Sequence, residues 1–243
     1  MPNHYFKFRQ FKIDQDKCAM KVCTDACLFG ALVANSMLSS STTNNDLQCL
    51  DIGTGTGLLS LMIAQKNQAI KTDAIEIDKP AAEQAGENIA ASPWADRIQV
   101  FNEDILHFMP GKQYDYIFSN PPFFENDLKT AVDAKNKARH DTSMSLLDLL
   151  SVAVNLLAPA GTFAVLLPWS RVAYFTAAAK KTGLHLSQQV LVKQSGKHDF
   201  FRGILFLKRE ETETMYSEII IKDADQMYTP AFAEALKDYY LFL

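Results

Sequence analysis

Asn120-Pro121-Pro122-Phe123 and the glycine turn Asp51-Ile-Gly-Thr-Gly-Thr-Gly57, about 70 residues upstream, are the two clusters whose residue types and spacing carry chemistry. An Asn side-chain oxygen and the Pro121 carbonyl offer two acceptors to a planar NH2 group. An aromatic ring at Phe123, or at Phe124 beside it, offers a face to the ring that bears the amine. A glycine turn between a strand and a helix lets backbone approach a ligand that Cβ atoms would otherwise block. One cluster suits a nucleoside cofactor and the other a planar amine, a pairing that fits methyl transfer to a nucleobase.

The glycine spacing narrows the cofactor. The dinucleotide fingerprint needs glycine at its first, third and sixth positions, whereas here the fifth is Gly57 and the sixth is Leu58, which disfavours hydride chemistry. No lysine follows the glycines as it would in a phosphate-binding P-loop. With Gly53, Gly55 and Gly57 in the turn, the next strand ends at Glu76, where a carboxylate accepts both hydroxyls of a ribose. Asp78 is the alternative for that role, and both stay open. Asp104, after the third strand, stands where an adenine amino group would lie, with Ile77 and Ile105 to sandwich the ring. Asp51 suits an ammonium group. Thr24-Asp25 in the leading segment reads either as a contact to the amino-acid end or as the N-cap of the helix that follows. Adenosine, amino acid and no phosphate together describe S-adenosylmethionine.

The amine chemistry follows from the acceptor. The exocyclic nitrogen of adenine is a weak nucleophile because its lone pair is delocalised into the ring. Hydrogen bonds from its two protons to Asn120 and Pro121 would hold it in line with an electrophilic methyl and favour pyramidal geometry, with no strong base required. Reaching such a pocket requires an unstacked or flipped nucleotide. The bland alternative is a strand-ending turn, which proline makes well.

The elements that position these residues alternate. Strands at 49–52, 72–77, 98–101 and 114–119 are interleaved with helices at 58–65 and 80–91. A helix at 145–157, a strand at 162–167 and a helix at 171–181 follow. This is an α/β pattern, a Rossmann-like, doubly wound and mostly parallel sheet. Strands near 184–192 and 203–208, with no helix between them, predict an antiparallel hairpin at the sheet edge. A late strand at 217–221 and a helix at 230–239 end the chain. The polar run at 39–45 separates an N-terminal extension, 1–46, from a core over 47–243, the two forming one domain.

The net charge of −4 and pI near 5.7 provide no global attraction to nucleic acid, so RNA contacts must be local. Candidates are Lys7, Arg9 and Lys12 among the aromatics of the first twelve residues, and the polar stretch 125–140 with Lys129, Lys135, Lys137, Arg139 and His140. A third patch holds Lys193, Lys197, His198 and Arg202. The N-terminal aromatics read equally well as an edge segment packed onto the body. The four cysteines and the scattered histidines have no metal spacing, so no metal is expected. No apolar run spans a bilayer and no signal-peptide core opens the chain, so a cytoplasmic protein with no membrane contact is expected, as a monomer.

In FKFRQF, MKVCTDACLFGA, CLDIGTGTGLLSLMIAQ, AIEID, ENIAASPWADRI, YDYIFSNPPFF, ARHD and the terminal YTPAFAEALKDYYLFL, the chain resembles the bacterial tRNA(Val) adenine N6-methyltransferases of the class I S-adenosylmethionine-dependent superfamily. The resemblance implies a seven-stranded sheet with the last strand antiparallel, and a tRNA substrate methylated at adenine 37, just 3′ of the anticodon. It assigns Asn120, Pro121 and Phe123 to the acceptor, Asp51, Gly53, Gly55 and Glu76 to the donor, and Asp104 to the donor's adenine. One departure is MKVCTDAC, which has Cys23 and Ala26 where the family pattern has glycines. Similar turns serve enzymes that methylate guanine N2 in ribosomal RNA, adenine in DNA or a glutamine amide in release factors. About 46 residues ahead of the first strand leave little room for the separate helical domain expected of the last, and no segment is long enough for the target-recognition region expected of a DNA enzyme. A scaffold that binds donor and RNA without turnover is the remaining alternative.

Overall fold

The computed structural model describes residues 4–18, 20–38, 47–122 and 144–243. The linker at 39–45, together with Phe123, Phe124, Lys129, Lys135, Lys137, Arg139 and His140, lies outside the described residues. The extension forms an antiparallel pair, β1 (Tyr5–Lys7) and β2 (Lys12–Asp14), followed by α1 (Thr24–Leu38). Beyond it come β3 (Leu47–Ile52), α2 (Leu58–Lys66), β4 (Ile70–Glu76), α3 (Lys79–Ala90), β5 (Ile98–Asn102) and β6 (Tyr114–Ser119). The chain continues through α4 (Leu146–Leu156), β7 (Leu157–Pro168), α5 (Trp169–Lys181), β8 (His185–Ser195), β9 (Phe200–Lys208), β10 (Met215–Lys222) and α6 (Pro230–Leu236).

The main sheet has the order β10-β8-β9-β7-β6-β3-β4-β5, and only β9 runs against its neighbours. The expected doubly wound, mostly parallel sheet is present with one strand more than seven. The late strand β10 joins parallel to β8, so the β8–β9 hairpin is flanked on both sides and is not the edge. An uncovered β8 would expose a row of unpaired backbone groups. β10 satisfies them and buries Ile221.

Period-two alternation gives the sheet two cores. In β7, Phe163, Val165 and Leu167 face α4 and α5. Ala164 and Leu166 face the opposite side, where α1, α2 and α6 pack. Gly203 of β9 lies under α5, and a Cβ there would come within 2.4 Å of Val172 Cγ2. A β-branched neighbour cannot swing away, so Gly203→Ala is expected to lower stability by about 1–3 kcal/mol. A urea titration, with donor affinity as the control for an intact site, checks this.

The two chain ends lock together. Phe8 and Phe11 are buried and stacked at 4.5 Å, and Arg9 donates from Nε to the Tyr240 carbonyl at 2.7 Å and from its backbone to Tyr239. Tyr239 is fully buried and its hydroxyl donates to Met62 O in α2. Residues 4–12 thus pack as the edge segment, with Lys7, Arg9 and Lys12 at its surface. Two of its rings are core, Arg9 holds the C-terminal tail, and Lys12 pairs with Asp14 at 2.7 Å, while Tyr5 and Lys7 face outward. Alternation along short strands explains this, since every second residue turns inward. The SPWADRI segment is also structural, for Arg97 donates to the carbonyls of Ala64 and Asn67 at the end of α2.

Candidate active site

β3 ends in Asp51 and Ile52, and the chain then turns through three left-handed positions, Gly53 (φ 71°), Gly55 (φ 57°) and Gly57 (φ 80°). The turn is clamped on its inner side. Gly53 N and Thr54 N both donate to Ile75 O, Gly55 N donates to Glu76 Oε2 at 2.9 Å, and Asn88 Nδ2 donates to Thr56 O at 2.9 Å. A Cβ at Gly53 or Gly55 would meet nothing within 4 Å, so these two line an open cradle. Gly57 differs, because a Cβ there would touch Ile89 of α3 at 3.4 Å rather than open space, and it stands at the N-cap of α2.

Asp51 is fully buried. Its Oδ2 accepts from the hydroxyls of Thr54 and Ser60, both at 2.7 Å, while Oδ1 has no partner among the described residues. Burial pushes its carboxyl up to about 6, the two hydroxyls opposing the shift. An acid whose folded pKa exceeds its unfolded value costs stability once ionised, so this group destabilises the fold as pH rises from about 4 through 6, by roughly 3 kcal/mol at neutrality. A cation facing Oδ1 would offset that cost. Affinity for S-adenosylhomocysteine, which carries the same ammonium, is accordingly expected to fall about tenfold per pH unit below 6. Calorimetry from pH 5 to 8 checks the slope, and Asp51→Asn should flatten it.

Three further carboxylates along this edge divide their tasks. Glu76, partly exposed, accepts Gly55 N on Oε2 and Asp78 N on Oε1, and each oxygen keeps a further acceptor position. Asp78 caps α3 by accepting from Ala81 N at 3.1 Å. Asn102 Nδ2 donates to the carbonyls of Glu76 and Ile77, which draws the segment carrying Asp104 against this edge. Asp104 accepts from Leu106 N at 2.9 Å and lies 3.3 Å from His107 Nδ1. Ile77 is 53% exposed and available to a ring, whereas Ile105 is buried in the core with Leu50, Ile75 and Phe108. The expected sandwich is thus one-sided, because the turn after β5 aims Ile105 inward.

Thr24 is the first residue of α1, one past the N-cap position expected of it, because the first helical hydrogen bond runs from Cys27 N to Cys23 O, and Thr24 lies beside the Tyr240 hydroxyl. Asp25, nearly buried, receives Arg202 Nε at 2.6 Å from the start of β9. Its carboxylate is therefore committed to an ion pair at the same end of the sheet. At the positions that depart from the family pattern, Ala26 packs into the core and the Cys23 thiol is pushed up to about 12 by burial and by Asp25. Burial, and then the Glu76 carboxylate, push the Cys18 thiol up to about 11.

Strand register brings the amine turn beside the cradle. β6 pairs with β3, Ile52 opposite Ser119, and Ser119 Oγ donates to Ile52 O at 2.8 Å, so Asn120 follows on the strand next to Gly53. Asn120 Oδ1 is buried without a partner among the described residues, Pro121 is buried and Pro122 is exposed. Two unpartnered oxygens, on Asp51 and Asn120, thus sit at the carboxyl ends of adjacent strands. That edge is where open α/β sheets bind ligands. Concavities of about 630 and 500 Å3 lie elsewhere, at the opposite strand ends around Lys71 and Arg97 and between α4 and α5. Neither holds any of these groups.

Sequence reasoning missed Ser60, Asn88 and Asn102, which brace Asp51, the glycine turn and the end of β4. Ser60 had a signal, a lone hydroxyl in the apolar run Leu58–Ala64. The two asparagines had none, since each bonds residues distant in sequence.

A doubly wound sheet with a glycine cradle after β3 and an Asn-Pro-Pro turn after β6 defines a class I S-adenosylmethionine-dependent methyltransferase. The fold is shared with a predicted O-methyltransferase from Agrobacterium tumefaciens, with a TM-score of 0.64 at 16% identity over 88% of this chain and 96% of that one. It is shared equally with a putative class I S-adenosylmethionine-dependent methyltransferase from Listeria monocytogenes, with a TM-score of 0.64 at 14% identity over 92% and 71%. Residues 21–167 match the Methyltransferase small domain family. Within that class, the chain belongs to the tRNA1(Val) (adenine(37)-N6)-methyltransferase family. It is 39% identical to the member from Dyadobacter fermentans over 98% of both chains, and 40% identical to that from Cytophaga hutchinsonii over the whole of both. The relative from Pectobacterium carotovorum is 40% identical over 98% of this chain and 94% of its own.

Proposed function

We infer that this chain methylates the N6 amine of adenine 37 in valine tRNA, using S-adenosylmethionine. The observation that carries the reading is the buried Asn120 Oδ1, without a partner among the described residues, one strand from the open glycine cradle. The full-length relatives, each named tRNA1(Val) (adenine(37)-N6)-methyltransferase, support the choice of substrate. S-adenosylmethionine, when bound, supplies an electrophilic methyl group.

The chain's own residues do the rest. Asn120 Oδ1 accepts one amine proton and the Pro121 carbonyl the other, which orients the nitrogen and draws its lone pair out of conjugation. Pro121 and Pro122 stiffen the turn that presents these acceptors, and Phe123 offers its ring to the base. On the donor side, Asp51 Oδ1 faces the ammonium, and Thr24 and Asp25 order the adjoining helix start. Glu76 takes the ribose hydroxyls, because Asp78 is occupied as a helix cap. Asp104 takes the adenine amine and Ile77 covers the ring. One domain carries all of this, since β1–β2 and α1 share a core with α2 and α6. Among the described residues no helix is long and apolar enough to cross a membrane, which suits an enzyme working on tRNA in the cytoplasm.

The test is transfer of labelled methyl from S-adenosylmethionine into total tRNA, ribosomal RNA and release factor taken from cells lacking the protein, followed by nucleoside mass analysis. N6-methyladenosine in valine tRNA is the expected result. Label in ribosomal guanine or in a protein glutamine would move the substrate, and no label in any pool would leave a binding scaffold.

A further inference from the structure

Beyond the amine turn, the carboxyl edge of the sheet continues into an aromatic and cationic surface for which methyl transfer itself has no use. β6 pairs with β7 up to Ser119 opposite Val165, and β7 then runs on to Pro168, roughly 10 Å further along the strand. Trp169 follows directly. Across the sheet Pro168 pairs with Arg202 and Lys193 with Phe200, so all of these residues share the edge that carries Asn120. Trp169 is 40% exposed, its ring lies 5.5 Å from that of Phe200, and Lys193 Nζ stands 4.3 Å from the Phe200 centroid. Lys197 and His198 are exposed in the turn that joins β8 to β9, with Asp199 the acid among them.

An exposed tryptophan beside a second ring, with a cation already over that ring, is the combination that stacks an unpaired base and neutralises its phosphate. Sequence-specific RNA recognition targets loops whose bases splay out onto such rings. We propose that Trp169, Phe200 and Lys193 form a stacking platform for a nucleotide that flanks the methylated adenine in an unpaired RNA loop. The platform rests on the reading of this chain as an RNA methyltransferase. The local charge favours RNA in a chain whose net charge of −4 would otherwise repel it.

The chain has two tryptophans, and Trp94 is buried against Phe11, so quenching of tryptophan emission by RNA reports on Trp169. Titration of the whole protein with an unmethylated valine tRNA transcript is expected to give saturable quenching. Trp169→Ala should raise KM for tRNA about tenfold with donor affinity unchanged. Trp169→Phe, which keeps a ring, should recover most of that loss while giving no quench. Lys193→Ala should make the salt dependence of tRNA binding shallower by about one phosphate contact. Wild-type tRNA methylation accompanied by no quench, and an unaltered KM in Trp169→Ala, would overturn the platform and leave the RNA reading standing. Failure of the wild type to methylate any tRNA would overturn the reading beneath it.

Discussion

Asn120→Ala is expected to cut methyl transfer to tRNA by about 10³-fold or more while S-adenosylmethionine binds within a few fold of wild type. The side-chain oxygen is buried with no partner among the described residues, so truncation costs no hydrogen bond at that atom, and Ser119 Oγ holds the turn to Ile52 O instead. What disappears is the acceptor that orients the amine as its nitrogen becomes tetrahedral. Its loss falls on kcat rather than on donor binding. Single-turnover transfer measured beside calorimetry of the donor separates the two quantities. A comparable loss of donor affinity would mean that Asn120 belongs to the donor cradle, and the division of roles would fail.

Gly55→Val is expected to show the opposite pattern, with donor binding abolished. Gly55 sits at φ 57°, a conformation that a β-branched residue adopts only with strain, and its missing side chain faces open space in the cradle. Valine therefore acts twice, by distorting the turn that Glu76 holds through Gly55 N and by filling the place of the ligand. The strain alone costs roughly 1–2 kcal/mol, which a domain of this size tolerates, so the variant should remain folded. The readout is calorimetry with S-adenosylhomocysteine, with the circular dichroism melt confirming the fold. Normal donor affinity in this variant would remove the glycine turn from the site.

The parts legible in the sequence share a property, which is that a local pattern suffices to specify them. The strand expected at 114–119 is the observed Tyr114–Ser119, because a short apolar run ending in Asn-Pro-Pro has no other way to continue. The glycine turn, Glu76 at the end of its strand and the Asn120 turn were legible for the same reason. The burial of Ile105 and the bond from Arg9 to the C-terminal tail were not legible, because a hydrophobic or basic residue looks the same in sequence whether it faces a ligand or a neighbour. The inward turn after β5 decides the first, and the docking of the tail decides the second.

By itself, then, the sequence determined the α/β class, the glycine turn and the Asn-Pro-Pro turn, since each is written in contiguous residue types with fixed backbone preferences. The tertiary structure alone decided that Asp78 is a helix cap, that Asp25 belongs to Arg202 and that β10 covers β8. It also set Trp169 beside Phe200 and Asn120 one strand from the glycine cradle. Each of these joins groups across strand register or helix packing, where the partner is selected by long-range closure of the sheet and not by neighbours in the chain.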